Sequence, residues 1–160
     1  MLWVAVVVFL VAVDRYTKYV INQTIAYGDR IPVLGDFFYL TNHDNYGAAW
    51  GIFQNGRYFF VILTLIVSAV IIIYMFKSES KFLKLALSVI LGGAFGNLID
   101  RIYKGGVTDF LDVYIGSYHF PTFNAADISV VTGTLLLLAY MLFVYKEPEK
   151  KIEKNDNETR

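Results

Sequence analysis

Phe82 to Tyr103 reads FLKLALSVILGGAFGNLIDRIY, and this stretch decides what kind of molecule the chain forms. A transmembrane helix needs about 20 mostly apolar residues, and this run supplies them. Its last turns, however, carry Asn97, Asp100 and Arg101. An ionisable group inside a span costs roughly 2.5 to 3.5 kcal/mol on insertion scales, so each one asks for a reason. Gly92 and Gly96 form a small-xxx-small face that lets another backbone approach closely, the way membrane helices pack when lipid removes the hydrophobic drive. One turn later Asn97 and Arg101 share a face through their four-residue spacing, and Asp100 neighbours Asn97 through three. Two readings of this end stand side by side: a functional polar cluster, or an ordinary helix terminus in which Asp100 pairs with Lys104 and Arg101 snorkels. In the first, Arg101 offers a carbonyl or carboxylate several donors in a planar fork.

Three further stretches have the same character: Leu2 to Ile21, Tyr58 to Phe76 and Ile128 to Tyr145. With 56% hydrophobic and 18% charged residues, the chain is too apolar for an ordinary water-facing surface. The expected fold is therefore a mainly α membrane protein: four transmembrane helices, with a small extracytoplasmic β-rich cradle between helices 1 and 2. The first run, Leu2 to Val13, is short enough for a secretory signal. It has no basic residue before it, and Asp14-Arg15-Tyr16-Thr17-Lys18 rather than a small-residue cleavage site after it, so it reads as a retained helix. Lys77, Lys81 and Lys84 around the second connection, and Lys146, Lys150, Lys151, Lys154 and Arg160 in the tail, place both segments in the cytoplasm with both termini. Residues 1–146 then form one polytopic domain and 147–160 a charged cytoplasmic tail. On the outer side, residues 22–57 contain Gly28-Asp29 and Gly35-Asp36 turns around the β-prone runs Ile31 to Leu34 and Phe37 to Thr41. Zero net charge argues against nucleic acid as a partner, and the absence of cysteine removes thiolate chemistry within the chain.

The acidic residues on the outer side carry the chemistry. Asp14 and Lys18 lie four residues apart on one helix face and can neutralise each other. Asp109 follows the Gly105-Gly106 turn; Asp127 follows Asn124-Ala125-Ala126 at the start of the fourth apolar run. Asn124 can cap free N–H groups there, and Asp127 in the first turn meets the positive end of the helix dipole, so capping alone accounts for both. The alternative is that packing brings Asp109 and Asp127 together around one water. Two close carboxylates cannot both ionise readily; one keeps a proton, and the pair supplies a base for the water and an acid for a scissile carbonyl. No His-Glu-x-x-His pattern supports a zinc peptidase, and Ser117 near His119 lacks a Gly-x-Ser-x-Gly elbow. Two other classes compete. An intramembrane proton relay would use the same acids but spread them through the bilayer. An assembly subunit would use Gly92 and Gly96 as a partner interface.

Five blocks in order carry a resemblance: Asp14-Arg15-Tyr16-Thr17-Lys18, Asn45-Tyr46-Gly47-Ala48-Ala49, Gly92 through Arg101, Val107-Thr108-Asp109-Phe110, and Phe123-Asn124-Ala125-Ala126-Asp127. Over essentially its whole membrane portion the chain resembles the bacterial lipoprotein signal peptidases, also called signal peptidase II. The resemblance implies a monomeric aspartic endopeptidase of the bacterial cytoplasmic membrane, without metal or other cofactor and with its active site near the outer leaflet. Its substrates would be prolipoproteins, cut on the N-terminal side of a diacylglyceryl-modified cysteine, and globomycin-type inhibitors would bind it. The family's catalytic pair falls on Asp109 and Asp127. Asp14, Lys18, Asn45, Gly47, Ala48, Asn97, Asp100, Arg101 and Asn124 fall on its substrate-binding or supporting positions. Arg15 stands where the family commonly has glutamine, and Thr108 where an apolar residue often precedes the aspartate; Thr108 is thereby expected to hydrogen-bond near the pair.

Overall fold

The computed structural model describes residues 1–47 and 53–145; Ala48 and the charged tail lie outside the described residues. Four helices and four strands follow in the order α1 (Leu2–Thr24), β1 (Arg30–Leu34), β2 (Phe38–Asn45), α2 (Arg57–Lys77), α3 (Lys81–Tyr103), β3 (Val107–Ile115), β4 (Tyr118–Phe123) and α4 (Ala125–Phe143). Among the described residues, α2, α3 and α4 are long and apolar enough to cross a membrane. At 23 residues α1 is as long as α3, but Asp14, Arg15 and Lys18 interrupt its apolar run.

The glycines of α3 explain how the helices meet. Helix α3 is central, with Ala86, Leu87, Leu91, Gly92, Gly93 and Gly96 buried. A Cβ on Gly92 would fall 2.7 Å from the Leu10 side chain, and one on Gly96 would fall 2.6 Å from the Asp14 carboxylate, so the small face receives α1 of this same chain. Gly93, one residue along, faces α4: a Cβ there would collide with the Ala126 carbonyl oxygen. Helix α2 is peripheral and buries only Ser68. Large apolar side chains such as Phe9, Ile66, Leu135 and Leu142 point outward, whereas the largest fully buried ones include Lys18, Asn124, Asp14, Asp100 and Asp109. Much of the interior is polar and the surface of the helices largely apolar, the distribution that suits a hydrocarbon solvent.

The β structure is larger than the sequence reading allowed. Instead of a cradle confined to the segment between the first two helices, one antiparallel sheet runs β1-β2-β3-β4, with half its strands contributed between α3 and α4. Strand β3 was missed because Val107–Ile115 is buried along most of its length and shows no alternation of apolar and polar residues. Two bulges lie opposite the residues of β3 that follow Asp109. Between Leu40 and His43 strand β2 carries an extra residue relative to β3, and between Phe120 and Phe123 strand β4 does the same. The first leaves Asn42 to donate to the Ile25 carbonyl at 2.9 Å, tying the sheet to the end of α1. The second holds Pro121, whose missing N–H an edge-strand bulge tolerates. Ile21, Ile25 and Phe110, with Leu40, Leu111 and Ala125 against them, fill the junction between helices and sheet.

Candidate active site

Asn124 organises the site. As N-cap of α4 its side-chain oxygen accepts from the Asp127 N–H at 3.0 Å, while the Asp127 carboxylate accepts from the Asn124 N–H at 3.1 Å, a reciprocal capping box. This moves the start of the helix to Ala125, three residues before the apolar run. The Asn124 amide nitrogen is left free to turn the other way, and it donates to Asp109 Oδ1 at 2.6 Å and to Asn97 Oδ1 at 3.2 Å. Capping and the meeting of the two aspartates are therefore one arrangement, not alternatives.

Each carboxylate oxygen receives a donor. Asp109 Oδ2 accepts from Asn45 Nδ2 at 3.1 Å, and Asp127 Oδ1 from Asn97 Nδ2 at 2.7 Å. Since an ionised carboxylate offers about four acceptor sites, lone pairs remain on both for water or substrate. Burial, then the neighbouring Asp127 charge, pushes the Asp109 carboxyl up to about 7, against the opposing effect of the bonds from Asn45 and Asn124. Both aspartates open on one cavity of about 500 Å³, whose walls include Asn45, Gly47, Arg101, Phe120, Phe123 and Val131. A second cavity of about 300 Å³, reaching Thr64 of α2, shares Asn97, Arg101, Asp127 and Val131 with the first.

Asp14, Lys18 and Asp100 line neither described cavity. They form a buried ionic cluster behind Asn97. Lys18 Nζ lies 2.9 Å from Asp14 Oδ2 and 2.7 Å from Asp100 Oδ2, and it donates to Asn97 Oδ1 at 3.1 Å. That last bond orients the Asn97 amide, so its nitrogen must face Asp127. Asp14 Oδ1 also accepts from the Ala126 N–H at 3.0 Å, fastening α1 to the first turn of α4. Arg15 pairs with Asp100 as well. Asp100 thus bonds back to α1, and Lys104 goes elsewhere.

Thr108 differs from expectation. Adjacent strand residues face opposite sides, so with Asp109 turned to the cavity, Thr108 turns away. Its hydroxyl donates to Asp44 at 3.0 Å and accepts from Lys104 at 2.7 Å. His119 pairs with Asp112 at 2.6 Å, outside the lining of either cavity. The apolar wall, Phe120 to Phe123 with Ile128 and Val131, was not singled out from sequence. Aromatic and branched residues there look like any strand or span until the fold turns them to one hollow.

With this geometry in view, the family model for signal peptidase (SPase) II matches residues 6–143. The chain belongs to the signal peptidase II family. It is 43% identical over 143 residues to the lipoprotein signal peptidase of Bacillus pumilus (strain SAFR-032), covering 88% of this chain and 92% of that one. Two solved structures of a bacterial membrane enzyme, obtained by the in meso method at 2.3 and 1.9 Å resolution, are also similar. The first aligns with a TM-score of 0.80 at 39% identity over 93% of this chain and 94% of that one. The second gives 0.78 at 38%, over 89% and 94%. The chain is accordingly a bacterial membrane protein and a peptidase.

Proposed function

We propose that this chain is an aspartic endopeptidase that removes signal peptides from prolipoproteins, with Asp109 and Asp127 as its catalytic pair. The observation that carries the reading is the pair itself. Two buried carboxylates, each held through both oxygens by amide donors, share Asn124 and face one largely apolar hollow.

The chemistry follows from one proton between two acids. Asp127, at the positive end of α4, carries the charge and takes a proton from water as its oxygen attacks the scissile carbonyl. Asp109 gives its proton to the carbonyl oxygen, leaving a neutral tetrahedral diol. The C–N bond then breaks: Asp127 returns its proton to the departing amine, and Asp109 recovers one from a diol hydroxyl. The amine belongs to the diacylglyceryl-modified cysteine, whose acyl chains lie towards α2 and α4 beside Thr64, Val130 and Val131. Asn45, Gly47 and Arg101 orient the peptide. Asp14, Lys18 and Asp100 support it through Asn97, and Asn124 holds the pair together. Ala48 is assigned to lipid contact on its sequence position.

All four helices span in this reading. Asp14 and Lys18 are buried against α3 and Asp100, while Leu2, Val4, Val8 and Phe9 of α1 point outward, so α1 presents an apolar face despite its charges. Residues 1–146 form one domain and 147–160 a cytoplasmic tail. Both termini lie inside, the pair sits near the outer leaflet, the enzyme acts as a monomer, and globomycin-type inhibitors occupy the hollow. The deciding experiment compares purified wild type with Asp109→Asn and Asp127→Asn on a lipidated prolipoprotein. Wild type cleaves and each variant folds but does not; a variant that cleaves at the wild-type rate removes its aspartate from the mechanism.

A further inference from the structure

We infer that Phe60 is a positioning residue for Arg101, holding the guanidinium by its aromatic face so that its N–H groups stay directed at the substrate backbone; this rests on the peptidase reading above. The Arg101 Cζ lies 4.9 Å from the Phe60 ring centroid. Among the described residues its one hydrogen bond is a long 3.5 Å contact from Nη2 to the Gly47 carbonyl, and it forms no ion pair within 4.0 Å. Asp100, its neighbour in sequence, is occupied by Arg15 and Lys18 on the α1 side.

The choice of partner has a chemical consequence. A carboxylate beside a guanidinium consumes its in-plane donors in a bidentate fork. An aromatic face attracts the cation through the ring quadrupole and leaves those donors open. Arg101 stands in the wall common to both cavities, beside Asn97 and Asp127. A peptide carbonyl crossing from one hollow to the other passes this point.

The ring is itself held. Phe60 sits in the first turn of α2, its N–H bonded to the Gly56 carbonyl at 2.9 Å. It meets Phe59 edge to face with centroids 5.3 Å apart, and Phe59 stacks on Phe53 at 5.4 Å. A Cβ on Gly56 would lie 3.1 Å from Phe60 Cε2, so glycine there makes room for the ring. Face attraction, a fixed ring and a shared wall together make Phe60 part of the geometry of cleavage without touching the reacting atoms.

The test replaces Phe60 in the full-length enzyme by 4-fluoro-, 3,5-difluoro- and 3,4,5-trifluorophenylalanine, which change ring volume little but progressively weaken its negative face. Cleavage of a lipidated prolipoprotein should fall stepwise, to about a tenth at the trifluoro ring, mainly in kcat, with Tm unchanged. Phe60→Leu should match the lowest member of the series. A flat series overturns the proposal even if Phe60→Leu is impaired, because loss on Phe60→Leu alone marks a packing role. Wild type that cleaves, beside Asp109→Asn and Asp127→Asn that do not, secures the dyad separately. A flat series in that protein then counts against Phe60 alone, whereas active asparagine variants count against the dyad alone.

Discussion

Asp109→Asn separates the electrostatic cost of the paired acids from their chemistry. Asp109 is 2% exposed, and its carboxyl is pushed up from 3.8 to about 7 by burial first and the Asp127 charge second. A carboxyl whose pKa is higher in the folded than in the unfolded state binds its proton more tightly when folded. Its contribution to stability is therefore complete below the unfolded value and is lost as pH rises through the folded value. At about 1.36 kcal/mol per pH unit, the whole interval amounts to roughly 4 kcal/mol, of which about two-thirds develops between pH 5 and pH 8.5. Asparagine carries no charge at either pH. It does place an amide nitrogen against the donor of Asn45 or Asn124, but that mismatch is independent of pH and cancels when the two conditions are compared. The expected result is a variant that gains on wild type by roughly 5–10 °C in Tm between pH 5 and pH 8.5, at about 2–4 °C per kcal/mol for a chain of this size. Thermal unfolding of both proteins in the same detergent at the two pH values measures it. A Tm difference, variant minus wild type, that stays constant or falls as pH rises refutes the claim that Asp109 retains its proton towards neutrality.

Cleavage itself should decline on the alkaline side of about 7 as the shared proton is lost; a kcat/KM profile that keeps rising to pH 9 contradicts this. Asn124→Ala removes the α4 cap and the link between the aspartates, so it should cost about 1–2 kcal/mol of stability and most of the activity, read by thermal unfolding and cleavage rate together. Gly93→Ala drives a methyl group into the Ala126 carbonyl, backbone that cannot rotate away. A loss of about 1–3 kcal/mol is expected in chemical unfolding, together with impaired cleavage because Asp127 is the next residue. Arg15→Gln removes a half-exposed partner of Asp100 while Lys18 remains, so its stability should change by less than about 1 kcal/mol in the same assay.

The sequence by itself determined the membrane class, the four apolar segments, the polar end of α3 and the residue types able to do acid and base chemistry. These depend on local composition and on spacing along a single helix, which a linear chain records directly. It also marked Asn124 and Asp127 as a helix start, because a capping box is completed within four residues. Only the tertiary structure decided how those parts combine. The side to which Gly92, Gly93 and Gly96 turn depends on which helix lies opposite each, and α1 and α4 take adjacent faces. Strands β3 and β4 join β1 and β2 across more than 60 residues, a pairing no local pattern announces. Thr108 faces Asp44 rather than the dyad because strand geometry alternates sides, and Asp100 bonds to α1 because Arg15 and Lys18 reach it before Lys104 does. The meeting of Asp109 and Asp127 through Asn124 is of the same kind: hydrogen bonds of 2.6 to 3.1 Å have no counterpart in sequence separation, and only the packing of α4 against α3 and the sheet brings the donors within reach.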